Sequence, residues 1–89
     1  IIVYKYFNKY LSVKINILAF GQIVDIIGTS SWTISGVDNT DQLELKLTHD
    51  FPGLLNTKYA LAVNKQVIHQ KTTLSHDDTV AILPPFSGG

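Results

Sequence analysis

The residues of this chain best suited to do chemistry are its last six, Pro84-Pro85-Phe86-Ser87-Gly88-Gly89. Two consecutive prolines fix φ and restrict the residues before them, so the segment starts stiff and extended. The two glycines carry no side chain, so a narrow channel can close around backbone alone. Fully extended, residues 84–89 reach about 20 Å at roughly 3.3 Å per residue. That is enough to carry a terminal carboxylate deep into another protein. Small, flexible chain ends without a role are also common, and a diglycine by itself would not outweigh that reading. A strand, a diproline, an aromatic and a diglycine in succession point instead to a carboxylate presented as a reactive group.

Conventional active sites find little support. With no cysteine, a disulfide framework, a thiolate zinc site and a cysteine nucleophile are excluded. His49, His69 and His76 have neither HxH nor HxxxH spacing, so no metal site is expected and solvated or hydrogen-bonded imidazoles are the simpler reading. Neither GxGxxG, GxxxxGK[ST] nor GxSxG occurs. Asp77-Asp78 reads as turn chemistry before a strand. Seven lysines balance seven acids and arginine is absent, a poor composition for gripping phosphates, so no nucleic-acid partner is expected. No apolar run approaches the ~20 residues that span a bilayer, so no membrane partner is expected either. The reading is a soluble domain of a reducing compartment, the cytoplasm, that is not an enzyme on its own.

KINILAF at 14–20 reads as a strand with Ile15, Ile17 and Ala19 on its core face. The opposite face carries Asn16, Leu18 and Phe20, which begins polar and ends in two large apolar groups. Residues 22–27 suit a short helix stopped by Gly28, and 30–37 a second strand with Trp32 and Ile34 on one face. Thr40, Leu43, Leu47 and Phe51 recur at helical spacing over 39–51, a spacing that Leu54 continues, with Asn39 as cap and Pro52-Gly53 as stop. Leu45 falls off that stripe. Strands follow at 59–63, 66–69 and 79–83. One main helix, a short second helix and four to five strands in so short a chain indicate an α+β roll. A single main helix covers one face of a mixed sheet; the other is solvated or meets a partner.

The order of elements is that of the β-grasp, the ubiquitin-like fold, and the segments INILAFGQIVDIIG (15–28), NTDQLELKLTHDFPGL (39–54), ALAVN (60–64) and LSHDDTVAILPPFSGG (74–89) resemble the small subunits of molybdopterin synthase. The resemblance covers essentially all of 11–89, and the diproline before the diglycine is its most specific part. Phe86 stands where a valine is usual, and His76 where the turn is often acidic or glycine-rich. The resemblance implies a sulfur carrier of molybdenum-cofactor biosynthesis whose reactive group is its own C-terminus, with Gly89 adenylated and then thiocarboxylated and Gly88 leading it. It implies an ATP-using, ubiquitin-activating-type adenylyltransferase as one partner. The other implied partner is the large synthase subunit, in a heterotetramer of two small and two large subunits, where sulfur reaches cyclic pyranopterin monophosphate. ATP and pterin would be bound by the partners, and no cofactor by this chain.

Family docking positions fall on Phe20, Val67 and Leu83. Strand alternation independently puts Leu18 and Phe20 of the first strand, and Ala81 and Leu83 of the last, on the outer face, where Leu18, Phe20 and Leu83 would form an exposed apolar patch if the two strands are neighbours. Pro84, Pro85, Phe86 and Ser87 would line the partner as the threaded tail. A carrier for thiamine biosynthesis, a ubiquitin-like modifier joined to lysines, or a binding module with an inert tail stay open as alternatives.

Residues 1–10 (IIVYKYFNKY) find no counterpart in the resemblance and read as an extension, with the natural domain starting at Leu11. The expected division is 1–10 extension, 11–83 domain and 84–89 tail. Without the extension the chain has five lysines against seven acids, a formal charge of −2. None of the periodic core positions needs residues 1–10, so their deletion is expected to leave the melting temperature and partner binding unchanged. A marked drop in either would make them part of the fold.

Overall fold

The structure, a computed structural model, describes residues 14–85; the expected extension 1–10, the start at Leu11, and Phe86, Ser87, Gly88 and Gly89 lie outside the described residues. Along the chain it runs β1 (Lys14–Ala19), α1 (Gln22–Ile27), β2 (Ser31–Ser35), α2 (Thr40–Asp50), a 3-10 turn (Pro52–Asn56), β3 (Ala60–Val63), β4 (Gln66–Ile68) and β5 (Thr79–Leu83). The strands form one five-stranded mixed sheet in the order β2-β1-β5-β3-β4. Central β1 and β5 are parallel, with Asn16 opposite Thr79 and Ala19 opposite Ile82. All other pairings are antiparallel.

Period-2 alternation decides the faces. Ile15, Ile17 and Ala19 of β1 and Val80 and Ile82 of β5 point to the buried side, where they meet Leu43 and Leu47 of α2, Ile23 and Ile27 of α1, and Leu54 of the 3-10 turn. Trp32 on the edge strand closes this layer edge-on against Phe51, ring centroids 6.0 Å apart at 73°. Leu45, off the stripe of α2, is 72% exposed. Strand ends differ from the sequence reading: Phe20 falls outside β1, Ser30, Gly36 and Val37 outside β2, Tyr59 outside β3 and His69 outside β4. Pro52 ends α2 without turning the chain away; it starts the 3-10 turn, which its fixed φ and missing N–H suit.

Helix α2 is capped reciprocally. Gln42 N donates to Asn39 Oδ1 at 2.9 Å, while Asp38 N donates to Gln42 Oε1 at 2.7 Å. Its first residue also anchors the long connection from β4 to β5. Buried Thr40 donates its N–H to Thr72 O and accepts from Thr72 N at its hydroxyl, both at 2.9 Å. Leu74 N donates to Asp38 O at 2.9 Å, so Leu74 stays in the core. At the foot of the sheet, Asn64 begins the β3–β4 turn with φ 48 and Lys65 follows at φ 73, the paired left-handed geometry of a tight hairpin. The Asn64 side chain donates to Asp78 Oδ1 at 3.0 Å and accepts from Thr79 N at 2.9 Å, which ties the hairpin to the start of β5.

Thr40→Val keeps the shape of the side chain but leaves the Thr72 N–H without its acceptor. The expected loss is about 1–2 kcal/mol, a fall in melting temperature of several degrees at about 4–8 °C per kcal/mol for a domain of this size. Thermal and urea unfolding read it directly. An unchanged midpoint would show that the β4–β5 connection is not held by this pair.

Candidate functional site

The parallel register of β1 and β5 brings the far ends of both strands together on the open side of the sheet. Leu18 and Phe20 come from β1 and the residue after it, Ala81 and Leu83 from β5, Ala62 from β3 and Val67 from β4. With Asn64, Lys65 and Thr79 at the rim, these side chains line one shallow concavity of about 530 Å³. Its floor is made by two alanines, Ala62 directly opposite Ala81. Its walls are larger: Phe20 is 46% and Val67 44% exposed, with Leu18 and Leu83 half-buried. All four residues expected from the sequence at the docking patch therefore share one surface. Isolated apolar side chains on a surface are ordinary, but a contiguous concave group of them marks a place where another molecule fits.

The tail leaves beside this surface. Pro84 follows Leu83 and is half-buried, and Pro85 is exposed. Phe20 N donates to Ile82 O at 3.2 Å, the last rung on this side. In a parallel ladder the next donor is the N–H at position 84, aimed at Phe20 O. Proline has none, and Phe20 O instead accepts from Ile23 N at 3.1 Å, in the first turn of α1. The parallel ladder thus ends before Pro84 with the Phe20 carbonyl satisfied by Ile23 N, and the chain can leave the sheet there.

A second, more polar hollow of about 320 Å³ lies between α2 and β3–β4, lined by Thr40, Asp41, Glu44, Tyr59, His69 and Lys71 among others. Burial, and then the Asp41 charge, raise the Glu44 carboxyl above its ordinary range; burial and then Glu44 raise the Tyr59 hydroxyl. The histidines lie apart in the fold. His49 sits 3.3 Å from Asp50 on the outside of α2. His76 accepts from Lys14 N at Nδ1, 3.0 Å, with Nε2 3.5 Å from Asp77. Among the described residues no group of three His, Cys, Asp or Glu side chains is placed to hold a metal ion. No helix among them is long and apolar enough to cross a membrane.

Three elements of the site were not visible beforehand. The alanine floor needs the β3–β5 pairing, although the alternation in ALAV and TVAI hints at it. Lys65 is the rim's one lysine among the described residues, placed there by the hairpin. Gly21, the residue after KINILAF, lies against Pro84, a contact that no local pattern signals.

Comparison with known proteins agrees with this fold. The sequence pattern of the ThiS family matches residues 17–89. The molybdopterin synthase sulfur carrier subunit of Dictyostelium discoideum is 34% identical over 86 residues, covering 89% of this chain and all of that protein. Among solved structures, the small archaeal modifier protein 1 of Methanosarcina acetivorans superposes with a TM-score of 0.72 at 23% identity, covering 86% of this chain and 97% of that one. The putative molybdopterin converting factor subunit 1 of Pyrococcus furiosus gives 0.73 at 19% identity, over 84% of this chain and 100% of that one. At those identities the two structures establish the fold, the ubiquitin-like β-grasp. Matched by the family pattern from β1 through the diglycine and by a relative along that relative's whole length, the chain belongs to the ThiS family.

Proposed function

We propose that this chain is the sulfur carrier subunit of a molybdopterin synthase, with the carboxylate of Gly89 as the group that is charged. The observation that carries the reading is the contiguous apolar concavity of Leu18, Phe20, Val67 and Leu83 at the root of a diproline–diglycine tail. The whole-length likeness to a carrier subunit favours molybdopterin over thiamine as the destination. A carboxylate is unreactive toward nucleophiles until one oxygen becomes part of a good leaving group. On an ATP-using adenylyltransferase, that oxygen attacks the α-phosphorus of ATP and pyrophosphate leaves. A sulfur donor at the sulfide level then attacks the carbonyl carbon, AMP departs, and Gly89 ends as a thiocarboxylate. The charged carrier seats its apolar face on the large subunit and extends Pro84, Pro85, Phe86, Ser87 and Gly88 toward the pterin, cyclic pyranopterin monophosphate. Two such deliveries supply the two dithiolene sulfurs. ATP and pterin are the partners' ligands.

The division of labour is physical. Docking free energy comes from apolar surface on rigid strands, and the reacting end carries nothing that has to be accommodated except backbone. Intact mass after incubation with ATP, a sulfur donor and the activating partner tests the first half. Exchange of oxygen for sulfur adds about 16 Da to a carboxylate activated in this way; higher-mass conjugates to lysine without that gain would make the chain a modifier instead.

Phe20→Arg and Leu83→Arg are each expected to weaken binding to the large subunit about thirtyfold, the effect of losing a ~2 kcal/mol anchor. Circular dichroism should show both variants folded. Normal binding by both would place the interface elsewhere, and unfolding of both would make these side chains part of the core.

Reach gives a sharper expectation. Adding one residue after Gly89, or deleting Gly89, moves the reacting carbon by about 3.5 Å along an extended chain, where ~1 Å already costs on the order of a hundredfold in rate. Both variants should dock normally yet fail to form or to transfer the thiocarboxylate, and Gly88→Val should behave alike. A lengthened chain that makes molybdopterin at the normal rate would end the carrier reading.

A further inference from the structure

No Asp or Glu lines the apolar concavity among the described residues, and Lys65 is its single formal charge. The chain around it is acidic, with five lysines against seven acids over residues 11–89. A cation therefore stands at the rim of an apolar surface on a domain of the opposite sign. Among the described residues no carboxylate forms an ion pair with it, whereas Lys46 meets Asp50 at 3.2 Å. Asp78, the acid tied to the same hairpin, is taken up by Asn64 Nδ2 at 3.0 Å and Ser75 N at 2.7 Å.

Lys65 is also at odds with the turn that holds it. A two-residue hairpin with positive φ at both centres favours Asn followed by Gly. Asn64 meets the first preference at φ 48, its N–H donating to Thr79 O at 2.8 Å and its side chain bonded to Asp78 and Thr79 N. Lys65 takes the second centre at φ 73, where a side chain crowds the backbone and glycine would be unstrained. The hairpin gives no reason for a lysine there, and the surface beside it does. The register of β3 on β5 puts Lys65 at the foot of the concavity, at the end away from Phe20 and Leu83.

We propose that Lys65 is a specificity-determining residue of the docking surface: it selects a partner whose apolar ridge ends in a carboxylate, an Asp or Glu of the large subunit, and it speeds their encounter. The identity of that partner rests on the carrier reading above. A smooth apolar ridge could enter the concavity either way round. A charge at one end removes that ambiguity, because seating an apolar group on the ammonium strips its water and returns nothing. The ridge then lies with its acid at Lys65 and its apolar end at Phe20 and Leu83, beside the root of the tail.

Four variants of the full chain separate the charge from the turn. Lys65→Gln removes the charge and keeps the strain, Lys65→Gly removes both, Lys65→Arg keeps both, and Lys65→Glu reverses the charge. In stopped-flow binding to the large subunit at about 0.01 M salt, Gln and Gly should each slow association about fourfold, the Boltzmann factor for unit charges ~5 Å apart in water. Arg should associate nearly as fast as wild type, and Glu more slowly than Gln. The differences should vanish toward about 1 M salt, as the screening length contracts from about 30 Å to about 3 Å. The melting temperature of the free chain should rise in Lys65→Gly and stay near wild type in Lys65→Gln, so the Gly variant is a more stable chain that docks more slowly. A role confined to the turn or to solubility would move stability or self-association and leave these rates alone. Wild-type association by Gln and Gly at low salt, a loss in Arg as large as in Gln, or a deficit that persists undiminished at high salt would each overturn the proposal. A large subunit that does not bind the wild-type chain overturns the carrier reading and this proposal with it. Binding that Phe20→Arg weakens and Lys65→Gln does not overturns this proposal alone.

Discussion

The parallel pairing of β1 with β5 is the constraint on which everything else in this domain depends. It joins strands from opposite ends of the described chain, so its loop-closure cost falls due before any of its contacts form. In return it places Ile15, Ile17, Val80 and Ile82 side by side under α2, where all four are fully buried. The same rungs place Leu18 and Ala81 side by side on the opposite face. One pairing thus produces both the core and the apolar surface beside the tail. It also decides where the tail begins, because the strand that carries the diproline is the neighbour of the strand that turns at Gly21.

The foot of the sheet is where this pairing is held. Asn16 N donates to Asp78 O and Asp77 N to Lys14 O, each at 2.8 Å, and the Asn16 side chain donates to Asp77 O at 3.2 Å. Asp78 accepts in addition from Asn64 and from Ser75 N, the latter at 2.7 Å. The polar half of the outer face, Asn16 and Thr79, is therefore occupied with pinning the strands, and the apolar half, Leu18 to Leu83, is left uncovered by the other described residues. The change of character along LysIleAsnIleLeuAlaPhe, puzzling in the sequence alone, is a division of one strand face into an anchored end and an open end.

How much of this was legible beforehand follows from the range of each signal. Alternation in β1 and β5 and the helical stripe of α2 are local patterns with buried faces, so strand, helix and core assignments could be read from them. Leu18, Phe20 and Leu83 were found by the same alternation. Val67 was not: β4 has three residues, too few for a period, and its place came from family resemblance. The boundaries at Phe20 and Tyr59 shifted because pairing, not propensity, ends a strand. Gly21 shows the limit most clearly. Its left-handed turn is a local fact that its residue type suggests, whereas its contact with Pro84 belongs to two residues brought together only by the register of β1 on β5.

An uncovered apolar face on a domain this small invites self-association, and the structure contains the features that oppose it. The outer edge next to the concavity is the three-residue β4, too short to template a long ladder, and its hairpin puts Lys65 at the rim. The floor is made of alanines, so the surface is concave and a flat partner would touch only Phe20, Val67 and Leu83 at its walls. Only a partner with a complementary ridge would fill it. On the carrier reading that shape has a further consequence. A concave seat resists sliding as well as dissociation, so it would fix where Leu83, and with it the start of the tail, stands on the partner.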